Sequence, residues 1–170
     1  MAFGKGISGG YSPLGGVLAL EKVHEVFEKG SGAFVHGHTY GGNPVSAAAG
    51  LATLTYIKRE GLVQRAAETG EYLRERLLEL ADEVGIIGDV RGLGLMQGLE
   101  FVKDRQTAEP FNPELGLTNK ILARAKERGL LLYPGTGCVD GVAGDSVIVA
   151  PPLITTQEQV DEIVDILAGV

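Results

Sequence analysis

The chain has a single cysteine, Cys138, so no internal disulfide can form and a reducing, cytoplasmic setting is expected. No apolar run reaches the length that crosses a bilayer, and the first residues lack the charged-then-apolar profile of a secretory leader. Neither nucleic acid nor an anionic membrane is expected as the main partner, because the net charge is −7. Basic residues are also unevenly placed: none occurs from Gly129 to the C-terminus. What is present, 44% hydrophobic and 22% charged residues over 170 positions, is the composition of a folded globular protein.

Glycine is the excess, at 26 residues. The glycines follow no repeat. They cluster at 4–16, 30–42, 92–98 and 135–144, between segments of good periodicity, and so read as tight loops joining regular elements. The first cluster, FGKGISGGYSPLGG, holds a solitary basic residue, Lys5, with the next at Lys22. Most lysines are solvated surface charges. A surface lysine, however, needs neither the flanking Gly4 and Gly6 nor the nearby Gly9, Gly10, Ser8 and Ser12. A lysine that bonds covalently to the carbonyl of a bulky planar partner needs that close approach.

Periodicity predicts the following elements. GGVLAL (15–20) suits a short buried strand, and EKVHEVFEKG (21–30) a short helix stopped by Gly30. FVHGHTYGG (34–42) is a loop. From Asn43, a good N-cap followed by Pro44 at the first helical position, a long helix runs to Gly61. A second helix over 62–83 places Leu73, Leu77 and Leu80 on one face. GIIGDVRG and GLMQGLEFV read as two strands joined around Gly-Leu-Gly. A helix at 114–128, a strand in GLLLYPG, a strand in DSVIVAPPL and a closing helix capped by Thr155 or Thr156 complete the chain. The expected organisation is two domains, 1–60 and 61–170. The first is loop-rich and poorly supported over 1–42. The second is a self-consistent α+β unit with one sheet.

Two further constellations carry chemistry. In HGHTYGGNP (36–44), His36 and His38 either cap and pack at a helix entry or belong to an anion site built from Thr39, glycine N–H groups and the helix N-terminus. Spacing alone weighs the two readings equally, and two histidines without an adjacent acid or cysteine are a weak metal signal. In VRGLGLMQGLEF, the glycine spacing is wrong for a dinucleotide fingerprint and no helix follows. Arg91 there is expected to hold loop carbonyls rather than a carboxylate.

Together, GKGISGGYSPLGG, HGHTYGGNPVSAAAGLA, VGIIGDVRGLGLMQGLEF and GDSVIVAPPLITT resemble the class III pyridoxal-phosphate-dependent aminotransferases, the ornithine, γ-aminobutyrate and ω-amino-acid group of fold type I. The order and spacing of the four motifs agree over the whole chain. The resemblance implies an α/β plus α+β architecture. Residues 1–60 would be the end of the large cofactor-binding domain and 61–170 the small C-terminal domain. It implies transfer of an amino group from an amine or amino acid to a 2-oxo acid, with pyridoxal 5'-phosphate as cofactor and a homodimer as the working form. Lys5 would be the lysine that bonds to the cofactor and shuttles the proton between substrate Cα and cofactor C4′. Thr39 would reach the cofactor phosphate of the partner subunit. No metal is implied.

Two departures qualify the resemblance. The family places a phosphate loop, a ring that stacks on the pyridine and an aspartate for the ring nitrogen well before the lysine, where this sequence has four residues. The sequence therefore looks like the C-terminal portion of such an enzyme, expected to be inactive alone. Met1 would then match an internal position, and a non-catalytic remnant is the rival reading. A glutamate-semialdehyde aminomutase relative is a further alternative, less well matched by SPLGG and APPL. The second departure is Ile148, which stands where several relatives carry the arginine for the substrate carboxylate.

Overall fold

The computed structural model describes all of residues 1–170, and the chain divides into two units, Met1–Gly61 and Leu62–Val170. No helix is long and apolar enough to cross a membrane.

The first unit begins with a two-residue strand, β1 (Ala2–Phe3), antiparallel to β2 (Gly16–Val17). A 3-10 turn over Lys5–Ser8 lies between them. Helix α1 (Glu21–Lys29) ends at Gly30, and a loop leads to helix α2 (Pro44–Arg59). Asn43 caps α2: its Oδ1 accepts from the Val45 and Ser46 N–H groups at 3.0 and 3.1 Å. The buried strand expected over 15–20 is corrected. Only Gly16 and Val17 pair, and Val17, Leu18 and Leu20 are exposed. A strand with one two-residue neighbour has no sheet in which to bury both faces.

The second unit is a four-stranded antiparallel sheet, in the order β3-β4-β6-β5, packed on three helices. The elements are α3 (Leu62–Glu83), β3 (Ile87–Leu93), β4 (Met96–Phe101), α4 (Leu117–Glu127), β5 (Tyr133–Thr136), β6 (Asp145–Val149) and α5 (Gln157–Ala168). Alternation aims Leu99 and Phe101 of β4 and Val147 and Val149 of β6 at one face. There they join Leu73, Leu77 and Leu80 of α3, Ile121 of α4, and Val160 and Val164 of α5 in a single core. A bulge between Ile87 and Asp89 breaks the two-residue period, so both Ile87 and Val90 point inward.

Helix α3 carries a glycine in its interior for a visible reason. A Cβ on Gly70 would lie 2.2 Å from the carbonyl carbon of Gly94, in the β3–β4 turn. Thr156 caps α5 in a capping box with Gln159, whose side chain accepts from the Thr156 N–H at 3.1 Å. On the outer side of the α3–α5 contact, Asp161 accepts from Tyr72 Oη at 2.8 Å and Arg76 Nε at 2.9 Å.

Three expected boundaries move. The helix at 114–128 starts at Leu117, because Gly116 takes a left-handed conformation after a short 3-10 turn over Pro113–Leu115. The strand in GLLLYPG starts only at Tyr133 and runs to Thr136, where β6 offers partners. The turn of the β3–β4 hairpin is Gly94 and Leu95, so of the expected Gly-Leu-Gly only Gly94 turns, while Gly92 and Leu93 pair within β3. Arg91 is corrected as well. It lies within β3 and donates to Asp89 at 2.7 Å and to Glu100 across the hairpin, both carboxylates, which together hold its guanidinium above its usual pKa. The arginine that holds loop carbonyls is Arg65, whose Nη2 donates to Ile154 O at 2.6 Å and Thr155 O at 3.3 Å.

Candidate active site

The lysine turn is a local structure built almost wholly from glycine and hydroxyl chemistry. Lys5 opens the 3-10 turn at φ 56°, in the left-handed region that costs a non-glycine residue about 1–2 kcal/mol. Gly9 N–H donates to Gly6 O at 2.9 Å and Tyr11 N–H to Ser8 O at 3.2 Å, which curls the backbone tightly after the lysine. Residues held at such φ values persist only where their surroundings fix them, and they concentrate at functional sites.

The surroundings here are one face of α2. Ser8 is buried, and its Oγ donates to Ser12 O at 2.5 Å. Ser12 Oγ in turn shares a hydrogen bond of 2.7 Å with Ser46 Oγ, in the first turn of α2. One helical turn on, Gly50 gives Leu14 its seat: a Cβ there would meet Leu14 Cδ2 at 2.4 Å. Ser46, Gly50 and Thr53 thus form a stripe of small residues at helical spacing, and the lysine loop lies along it.

Beside Lys5 opens a cleft of about 780 Å³. Ser8, Ser12, Ser46, Tyr11, His38 and Tyr40 are among its walls, and no aspartate or glutamate lines it. Lys5 is exposed and enters no ion pair. The donor set suits an anionic aldehyde at one end only. It offers a primary amine for the carbonyl, hydroxyls for oxygens and room for a flat ring, but no carboxylate for a ring nitrogen.

Thr39 is exposed in the turn between His38 and Tyr40, and does not itself line the cleft. The glycine amides beside it are not all available to an anion, since Gly41 N–H donates to His38 O at 2.8 Å. His36 and His38 pack edge to face with ring centroids 5.1 Å apart, in a ladder continued by Phe34 and Phe27. Neither caps α2, which is the work of Asn43. Ile148, on the outer face of β6 opposite Tyr133 and Gly98, is half-buried. The basic residue on that face, Arg91, is already paired.

Sequence reasoning missed Ser46, whose hydroxyl completes the grip on the lysine loop. The available signal was a lone serine in the first turn of an alanine-rich helix. It also missed the aromatic rim that Tyr11 and Tyr40 form around the cleft.

Comparison with solved structures places this fold among the transaminases. A transaminase from a marine Virgibacillus superposes with a TM-score of 0.93 at 35% identity, over 99% of this chain and 38% of its own. An amine transaminase from an uncultivated Pseudomonas species, solved in the pyridoxal-phosphate-bound form, gives 0.87 at 34% identity, over 98% of this chain and 36% of its own. The mixed α/β architecture is therefore that of part of a fold type I aminotransferase. The model of the class-III aminotransferases matches residues 1–170, and the chain belongs to that family. Among its relatives, the aminotransferase YodT of Bacillus subtilis is 39% identical over 165 residues, covering 97% of this chain and 37% of that protein. The chain thus spans little more than a third of the length of the relatives it matches.

Proposed function

We propose that these residues form the reactive-lysine segment and C-terminal domain of a pyridoxal-phosphate-dependent transaminase. The enzyme would move an amino group from an amine or amino acid to a 2-oxo acid. The observation that carries the reading is the left-handed Lys5, held by buried hydroxyls at the edge of an acid-free cleft. Its side chain is free to attack, and its backbone is fixed where an ordinary surface lysine has no need to be.

In this reading Lys5 would hold the cofactor covalently and would carry the proton between substrate Cα and cofactor C4′. The cofactor, when bound, supplies the electron sink for the carbanion that proton removal leaves. Thr39, exposed and outside the cleft of its own chain, suits a contact to the phosphate held by a partner subunit, and the working enzyme is a homodimer. Residues 1–61 belong to the large domain and 62–170 to the small one. The single cysteine is consistent with a cytoplasmic setting.

Steady transamination asks more than this cleft holds, because no carboxylate lines it to keep a pyridine nitrogen protonated. The test is to titrate the purified 170-residue chain with pyridoxal phosphate, follow the visible absorbance that reports covalent attachment, and then add an amino donor with a 2-oxo acid. Saturable attachment, lost in Lys5→Ala, without continuous amino transfer is the expected result. Attachment unchanged in Lys5→Ala would overturn the assignment of Lys5, and sustained turnover would overturn the account of the cleft.

A further inference from the structure

Ser46 lies on a helix, away from the lysine in sequence, yet it ends an unbroken chain of contacts that begins at the lysine turn. Its backbone N–H is taken by Asn43 Oδ1 at 3.1 Å, which fixes the residue at the N-terminus of α2. Its hydroxyl meets Ser12 Oγ at 2.7 Å, and the Ser12 carbonyl accepts from Ser8 Oγ at 2.5 Å, inside the turn that Lys5 opens. Ser8 and Ser46 are both more than nine-tenths buried. The first unit buries no apolar side chain that could do the same work by packing.

We propose that Ser46 is a positioning residue for Lys5, acting through Ser12 and Ser8 to hold the turn in its left-handed form so that the amine faces the cleft. This rests on the reading of Lys5 as the reactive lysine. Leu14 over Gly50 fixes the far end of the loop on α2. Removal of the Ser46 hydroxyl frees the Ser12 end while leaving α2 capped by Asn43. The lysine then remains exposed and chemically competent, but loses its fixed placement toward a bulky partner.

Two reagents of different size separate these effects. Pyridoxal phosphate followed by borohydride reports placement: the amine nitrogen joins the aldehyde carbon, water leaves, and borohydride delivers the hydride that makes the link permanent. Trace acetic anhydride reports exposure and nucleophilicity alone: the amine takes the acetyl group, acetate leaves, and the amine proton goes to buffer. Peptide mass spectrometry measures both labels at Lys5, with Lys22 and Lys29 of the same chain as internal references.

Ser46→Ala is expected to lower the pyridoxyl label at Lys5, relative to Lys22 and Lys29, about fivefold, the order of effect of one net hydrogen bond. Acetylation of Lys5 should stay within about twofold of its wild-type share, and Ser46→Thr, which keeps the hydroxyl, should restore the pyridoxyl label. An unchanged pyridoxyl share in Ser46→Ala overturns the positioning role while leaving Lys5 as the reactive lysine. Parallel loss of both labels also overturns it, because it means the turn has collapsed. A wild-type chain in which Lys5 is labelled no more than Lys22 and Lys29 overturns the reading of Lys5 itself.

Discussion

The two units solve the problem of holding a fold in opposite ways. Residues 62–170 bury leucine, isoleucine, valine and phenylalanine between one sheet and three helices, with Leu73, Leu77, Val147 and Val160 fully enclosed. Residues 1–61 bury only Ser8, Ser46 and Gly50, and leave Val17, Val26, Val35 and Leu51 in solvent. Hydrophobic burial dominates folding energetics, so the second unit stabilises itself while the first does not. The difference teaches where the chemistry can be placed. The left-handed turn that carries Lys5 is kept by hydrogen bonds and small residues, and its segment leaves apolar side chains in solvent.

The contrast breaks first on a matched pair of leucines. Leu77→Ala opens a cavity at a fully buried site and is expected to cost about 2–5 kcal/mol of stability in urea unfolding. Leu51→Ala, on exposed α2 surface, is expected to change stability by no more than about 0.5 kcal/mol. Equal losses would mean that the first unit has a core after all.

Glycine substitutions come next. In Gly70→Ala the new methyl meets the backbone of Gly94 at 2.2 Å, which cannot rotate away, and a loss of about 1–3 kcal/mol is expected by thermal melting. In Gly50→Ala the clash is with the free end of the Leu14 side chain. The gain in helix propensity, up to about 1 kcal/mol, offsets most of it. The melting temperature should then hardly move, while amide exchange of the 7–14 loop accelerates.

Helix caps should level the two units. Asn43→Ala and Thr156→Ala each remove side-chain acceptance at a helix start, and each is expected to cost about 1 kcal/mol. A much larger loss for Asn43→Ala, seen by circular dichroism, would show that the first unit depends on α2 more than its exposed surface implies.

The smallest effect is pH-dependent and confined to the second unit. Hydrogen bonds from Arg76 and Tyr72 hold the Asp161 carboxyl below the usual carboxylate range. A depressed pKa adds stability above the unfolded value of about 4, and that stability is lost as pH falls through the folded value. Wild type should therefore lose urea resistance below about pH 4 more steeply than Asp161→Asn. Parallel acid limbs would remove Asp161 from the account.

Legibility followed the same division. In the second unit, Leu73, Leu77 and Leu80 at helical spacing and the alternation of MQGLEF announced the helix and the strand, because periodicity records which face is buried. In the first, the apolar run over 15–20 pointed to a buried strand that the structure does not contain, since apolar content says nothing of whether a neighbour exists. Lys5 stood out only through the glycines around it. The hydrogen bond that ties its loop to α2 joins Ser12 and Ser46, 34 residues apart, and no local pattern encodes that pairing. Arg91 and Arg65 were indistinguishable in sequence. Only the β3–β4 register, which sets Asp89 opposite Glu100, shows which of them meets carboxylates.

The central claim, that Lys5 is the reactive lysine, is tested most directly by asking where pyridoxal phosphate attaches when Lys5, Lys22, Lys29 and Lys58 compete for a limiting amount. Borohydride trapping and peptide mass spectrometry should find most of the pyridoxyl label on Lys5, and Lys5→Ala should lose that label without redistributing it. Label spread evenly over the four lysines would contradict the account.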